Sequence, residues 1–568
     1  MAASRLLLTQ APRPVRRSLW HLLVLVWLAT WAAGCASLPS QVQRTPSTAW
    51  AAPEQTALGQ LVQARRAQAR ARSASAFLLL DRVDLALTSR LALVERAQKT
   101  LDLQYYAIHA DPSTEVILQG LKAAAKRGVR VRILLDDFNT VGEDAQVLRL
   151  AFEPGIEVRL FNPVAGPRDS LVTRVLGSLH EVERLHKRMH NKLFIADNAW
   201  GITGGRNLGD AYFGGDDRSA FVDLDVLAAG AVVRAMSASF DRYWNHELSY
   251  PVQALLSPDD LERLRERRAG QPGSAPVLPS GATPAAPSDG TAVLPNVAPA
   301  EVASAQRVPL DLARVPLVWA PATVLVDRPG KIGPGDDEVD AGDTLVDGLL
   351  QLMEGAKREV LIISPYFVPG EQMMQVFAQL RRRNVAVRVL TNSLASNDAP
   401  VAHAGYRRYR ERLLALGVEL YEMRADTGTA GLAPGGRRER GSASGVGLGS
   451  AAGGSKSGTS RASLHSKAIL LDRELAVIGS MNLDLRSQRK NSEVAVLIRS
   501  APLAQSAARL IEQTFARGAY RVELADGRLH WRAPPGVPFG DASGEPDAGL
   551  RRRLLINLLA PFAPDELL

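Results

Sequence analysis

The sequence predicts an α/β fold built as two similar halves, each with its own sheet and flanking helices. Three observations lead there. A frame of five residues, H-x-K-x4-D-x6-G-x2-N, occurs twice, first as His190, Lys192, Asp197, Gly204 and Asn207, then as His465, Lys467, Asp472, Gly479 and Asn482. With each fixed position about 5% likely, one chance match is roughly a one-in-a-million event per window. The segments upstream repeat as well: Arg127–Leu134 parallels Arg383–Leu390, and Gly155-Ile156-Glu157-Val158 parallels Gly417-Val418-Glu419-Leu420. Finally, helical and β-rich runs alternate in both halves, the pattern of an α/β sheet.

Composition sets the bounds. The chain has 568 residues, enough for two or three domains, with 46% hydrophobic and 22% charged residues. A net charge of +9 fits contact with nucleic acid or with an anionic membrane surface and does not choose between them. A single cysteine, Cys35, excludes an intrachain disulfide.

In chain order, residues 1–35 read as a secretion signal. Arg13, Arg16 and Arg17 precede an apolar run, Leu19 to Ala33, too short for a comfortable membrane span. Ala32-Ala33-Gly34-Cys35 follows and resembles a bacterial lipobox, so Cys35 is the expected lipidation site. An ordinary cleaved signal and an uncleaved anchor stay open. Ala36 and Ser37 are not the aspartate of inner-membrane retention, which points to the outer membrane.

Residues 36–75 read as a polar tether with a helix. The first domain, 76–268, carries helices near 86–98 and 114–127 and strands near 101–107 and 129–136. A Pro/Ala-rich linker at 269–308 cannot bury a core. The second domain, 309–515, carries helices near 343–356 and 370–383 and strands near 359–364 and 385–391. It is interrupted by a Gly/Ser/Arg-rich insert at 425–462, expected to be disordered. In the tail, 516–568, Leu550, Leu554 and Leu558 recur four apart beside Arg551, Arg552 and Arg553. That helix suits a membrane interface or docking on its own domain.

The chemistry lies in the frames. His and Lys two apart on a strand share one face, and Leu193-Phe194-Ile195 and Ala468-Ile469-Leu470-Leu471 are apolar enough for buried strands. A lone histidine is usually a satisfied core residue. Two in matching frames, each with an ammonium and an amide nearby, suit a phosphodiester, which needs its charge neutralised, a nucleophile, and an acid for the leaving oxygen. There is no Cys/His ligand cluster, Walker loop or dinucleotide fingerprint, so neither metal nor cofactor is expected.

These paired frames resemble the HKD motifs of the phospholipase D superfamily. The wording Arg188-Met189-His190-Asn191-Lys192, Gly204-Gly205-Arg206-Asn207 and Gly479-Ser480-Met481-Asn482 resembles the bacterial cardiolipin synthase C type, over roughly residues 75 to 565. The resemblance implies two phospholipase D-like α/β/α domains sharing one active site at their interface. It implies that His190 attacks phosphorus and His465 serves as acid and base, although the near-symmetry leaves the swap open. Lys192, Lys467, Asn207 and Asn482 would hold the non-bridging oxygens. In relatives the supporting carboxylates cross between halves, which would put Glu493 on His190 and Asp223 on His465. The motif aspartates, Asp197 and Asp472, end their strands and are expected to brace the turns. Gly205 and Ser480 are expected to line the site, and His403 to form a wall of the substrate pocket.

The implied activity is phosphatidyl transfer between membrane phospholipids such as phosphatidylglycerol and phosphatidylethanolamine. A hydrolytic phospholipase D, a nuclease and a lipid-anchored binding protein are the alternatives. Both motifs being complete counts against the last. The anchor and the two-domain build count against the nuclease, so no nucleic acid is expected. Donor, acceptor and any protein partner are not readable.

Overall fold

In the computed structural model the described residues are 38–39, 41–142, 144–165, 168, 182–214, 219–256, 258–269, 308–332, 344–425 and 461–559. Cys35 and the signal-type segment, residues 270–307 of the linker and residues 426–460 of the insert lie outside them.

Among these residues the strands form two nine-stranded sheets and two two-stranded ones. Six strands in each large sheet follow one order. In the first half it is Ile156–Phe161, Arg130–Asp136, Thr100–Tyr105, Leu193–Ala196, Trp200–Gly204 and Asp225–Gly230. In the second it is Glu419–Met423, Ala386–Asn392, Glu359–Ile363, Ala468–Leu471, Leu475–Gly479 and Val494–Arg499. The first three run parallel, and the motif strand and its two successors add antiparallel. The expected helices form as Val83–Arg96, Pro112–Lys126, Leu345–Glu354 and Gly370–Arg382. Local chemistry starts them: Asp111 caps one beside Pro112, and Thr344 with Asp347 forms a capping box on another. The third helix of the first half differs. Asp144–Phe152 winds as a 3₁₀ run, with Ala145, Leu148 and Ala151 buried at the three-residue spacing that winding needs.

The motif strands are buried on both faces. Leu193 and Ile195 face a core between the two sheets, together with Ala468 and Leu470. Phe194 and Ala196 face the helices outside the first sheet, Ile469 and Leu471 those outside the second. This alternation follows from the two-residue period of a strand. Helices Ala231–Trp244 and Ala501–Arg517 also pack into the central core.

Three expected boundaries shift. Residues 309–319 belong to the first half: Leu312 and Val315 are buried in its core and Val318–Trp319 joins its sheet edge, before Ala322–Val326 crosses to the second sheet. The second half extends past 515, because Ala519–Ala525 and Arg528–Arg532 complete its sheet through a turn at Asp526-Gly527, both left-handed. The expected tether is fastened down: Arg44 Nε donates to Ser249 O at 2.9 Å, Arg159 Nη2 to Thr45 O at 2.7 Å, and Ala49 N to Asp241 Oδ2 at 2.8 Å. Its helix runs from Ala57 to Gln68.

Candidate active site

Two short parallel ladders tie the halves together, and each ends at a histidine. Arg188 and Met189 pair with Asn491 and Ser492. The next residues in register are His190 and Glu493. Ser463 and Leu464 pair with Phe221 and Val222, and the next residues are His465 and Asp223. Parallel register therefore sets each imidazole beside a carboxylate of the other half. His190 Nδ1 lies 3.0 Å from both Glu493 oxygens, and His465 Nδ1 lies 2.7 Å from Asp223 Oδ2. With Nδ1 occupied in both rings, Nε2 is the atom left for chemistry.

The histidine and lysine of each frame sit in the extended entry to the sheet rather than on the strand itself, which starts at Leu193 and Ala468. Lys192 Nζ donates to His190 O at 2.9 Å, and Lys467 Nζ to His465 O at 2.6 Å. Both lysines are buried. The Asn207 and Asn482 side chains are buried with one amide oxygen each lacking a partner. Since Tyr212 Oη, 3.0 Å from Asn207 Nδ2, can equally donate, the flipped amide would present an N–H to a ligand. Rings pack the imidazoles: Tyr106 edge-on to His190, Tyr212 and Phe221 against His465.

The two carboxylates are held differently. Glu493 accepts from Ser480 Oγ at 2.5 Å and Ser487 Oγ at 2.9 Å as well as facing His190. Burial works to raise its pKa, but His190, Lys192 and Ser480 outweigh burial and hold it below the usual range. Asp223 accepts from Leu224 N at 2.8 Å and is packed against Gly205, where a Cβ would come within 2.1 Å of Asp223 Oδ1. Burial dominates there and pushes Asp223 up, despite Lys467 and Arg206. Ser480 and Gly205, at matching positions, thus act on the carboxylates: one supplies a donor, the other space.

Burial also governs the bases. It lowers His190 to about 4, against the pull of Glu493, and drives His465 well below its ordinary value, aided by Lys467 and Lys192. Lys192 falls to about 7 through burial and the neighbouring Lys467. Burial therefore favours neutral imidazoles, set between two crowded lysine side chains. An anion placed there offsets that crowding and favours protonation of Lys192 and of an imidazole.

Other expected residues lie elsewhere. Asp197 and Asp472 sit at the far ends of the motif strands in left-handed conformation. Asp197 accepts from the backbone N–H groups of Gln98, Lys99 and Thr100, and Asp472 from those of Lys357, Arg358 and Glu359. They brace the strand before the motif and do not reach the imidazoles. His403 is not placed as a pocket wall: it is fully buried on Pro400–Ala415, with Nε2 3.2 Å from Arg410 and 3.5 Å from Glu545. Ser487 was not anticipated, although Asp484, which caps the helix carrying it, stands in the second motif's own continuation.

The chain matches the family described as "Cardiolipin synthase, PLD-like domain" over residues 91–244 and 349–515. It is 36% identical to cardiolipin synthase C of Escherichia coli over 85% of this chain and 93% of that one. An uncharacterized Helicobacter pylori protein is 32% identical over 89% of this chain and 91% of its own length. Among solved structures, the phosphatidylserine synthase of Haemophilus influenzae matches with a TM-score of 0.53 at 13% identity, covering 89% of this chain and 99% of that one. At that identity the likeness speaks to the fold.

Proposed function

The chain belongs to the cardiolipin synthase family of phospholipase D-like enzymes, and from that premise we propose a phosphatidyl transferase that moves a phosphatidyl group from one membrane phospholipid to a hydroxyl of another. The observation that carries it is the crossed pairing of His190 with Glu493 and of His465 with Asp223. In the first step His190 Nε2 attacks phosphorus while the bond to the headgroup oxygen breaks. His465 Nε2–H protonates that oxygen. In the second step the acceptor hydroxyl loses its proton to His465 Nε2 and attacks, and the bond from phosphorus to His190 breaks.

The difference between the carboxylates supports this assignment over its mirror image. An ionised, doubly anchored Glu493 stabilises the positive charge His190 gains when it attacks. A carboxylate raised by burial, as Asp223 is, shares a proton more readily with a histidine that must pick one up and give it back. The lysines and the two asparagines would hold the non-bridging oxygens.

The membrane setting rests on two features. Cys35 is the proposed lipid anchor. Helix Leu550–Leu559 docks through Ile556 and shows Leu550, Leu554 and Leu558 outward at 73%, 58% and 67% exposure, beside exposed Arg551 and Arg553. No helix among the described residues is long and apolar enough to cross a membrane.

The test is a product assay on purified protein with vesicles of phosphatidylglycerol and phosphatidylethanolamine. Transfer yields cardiolipin and a free headgroup alcohol in excess of phosphatidic acid. Phosphatidic acid as the sole lipid product would establish a hydrolase instead.

A further inference from the structure

One carboxylate beside the catalytic centre has no role in the steps above. Asp398 lies between strand Ala386–Asn392 and helix Pro400–Ala415, and Tyr366 Oη donates to it, 2.9 Å from both its oxygens. The backbone fixes Tyr366 next to both parts of the second motif. Leu483 N donates to Ser364 Oγ at 3.0 Å and Val368 N to Leu483 O at 2.8 Å, so Tyr366 sits beside Asn482. Asn392 Nδ2 reaches Pro365 O at 3.3 Å and Leu464 O at 2.9 Å, tying the residue before Tyr366 to the residue before His465. Both Tyr366 and Asp398 are half-buried, whereas the motif lysines and Glu493 are sealed.

A carboxylate is the wrong charge for a phosphodiester. It is right for a group that donates hydrogen bonds. Asp398 acts electrostatically on Lys467 and Tyr212, so it lies near the second motif's lysine. An ammonium ligand arriving there would meet the positive charge of Lys467, Lys192 and nearby Arg552, while a neutral polyol would not. Among the described residues the first half shows no such pair at the equivalent position. The bridges Ile108 to Leu208 and Phe367 to Leu483 are equivalent, which sets Ala107 where the second half has Tyr366. The pair thus lies only on the side of His465, where the acceptor must surrender its proton.

We propose that Tyr366 and Asp398 form a polyol subsite that grips the second hydroxyl of a glycerol headgroup and aims its terminal hydroxyl at phosphorus and His465. The inference rests on the transferase reading. The pair neither gains nor loses a proton: the acceptor oxygen–phosphorus bond forms, the phosphorus–Nε2 bond to His190 breaks, and the proton goes to His465.

The experiment compares wild type with Tyr366→Phe and Asp398→Asn in transfer from phosphatidylglycerol vesicles to three soluble acceptors: radiolabelled glycerol, 1-propanol and ethanolamine. A lost hydrogen bond to a charged group predicts a fall of about tenfold or more in acceptor kcat/KM for glycerol. It predicts a matching shift of the glycerol-to-water product ratio and no such selective loss for 1-propanol, which lacks the second hydroxyl. Equal losses for glycerol and 1-propanol would reduce the pair to a structural support. Selective loss with ethanolamine would make it an ammonium site and overturn the assignment. A wild type that cleaves donor and never transfers it would contradict the transferase reading itself. If one variant fails to fold, judged by its melting temperature, the other decides.

Discussion

Ser487 shows how much hangs on one hydroxyl. It donates to Glu493 at 2.9 Å while its own N–H caps onto Asp484. Removing a donor from an ionised carboxylate raises the carboxylate's pKa. In Ser487→Ala the acid limb of the pH–rate profile should therefore move up by about one pH unit or more, since such bonds contribute roughly 1.5–3 kcal/mol. An unmoved acid limb would mean that Ser480 alone holds Glu493. Lys192 makes a second residue-scale prediction. Its pKa near 7 lies below the ordinary 10.5. Between those values the unfolded chain binds more protons, so this lysine's contribution to stability grows as pH rises through that window. An anion reverses the shift. Binding of tungstate at pH 8 should take up about one proton at Lys192 beyond that taken up by an imidazole, read by calorimetry in buffers of different ionisation enthalpy, and uptake should fall by about one proton in Lys192→Met. Equal uptake in wild type and variant would show the ammonium to be charged already. The histidines, lysines and asparagines were legible because a five-residue frame recurs. Ser480 and Gly205 were legible as positions but not as roles, because a hydroxyl that holds a carboxylate and a gap that admits one depend on residues some 13 to 18 positions downstream.

At the scale of elements, the ladders matter more than the motif strands. They are two pairs long by Cα register at Arg188–Met189, and four at Arg461–Leu464. Segments so short and so far from their partners leave no periodic signal, which is why the sequence showed the strands after the motifs and not those before them. The helices and strands of each half lay within a few residues of expectation because capping residues and apolar periods are local. The Asp526-Gly527 hairpin carried an equally local signal in its turn residues. Helix Leu550–Leu559 docks on its own domain, one of its two expected fates: Ile556 is buried against Leu394, Ala395 and Ala404, and the leucine stripe faces out. Its exposed side predicts that Leu554→Glu with Leu558→Glu, in a Cys35→Ser background, lowers sedimentation with anionic vesicles about tenfold or more, since burying each leucine is worth about 1.5–3 kcal/mol. Sedimentation equal to the Cys35→Ser parent would leave the stripe without a membrane role.

For the whole molecule, duplication explains both the similarity and the division of labour. Two halves with one strand order bring two copies of a frame to one interface, and a central core shared by both sheets fixes their distance. The copies then differ where it counts: Glu493 with two serines faces His190, Asp223 with a glycine faces His465, and only the second half carries Tyr366 with Asp398. The fold class was readable from repetition together with the alternation of helical and β-rich runs. The crossing of the carboxylates came from family resemblance, because no spacing within one half announces a partner some 240 to 300 residues away. The central claim is one shared site in which His190 attacks and His465 moves the proton, and the most direct test is covalent trapping. Each alanine variant is mixed with a ³²P-labelled phosphatidyl ester of a low-pKa leaving group, which needs little help from an acid. His465→Ala should accumulate a labelled, acid-labile phosphoenzyme that maps to His190, while His190→Ala should give none. Label on His465 in the His190→Ala protein, with none in the other, would contradict the assignment and exchange the roles of the two halves.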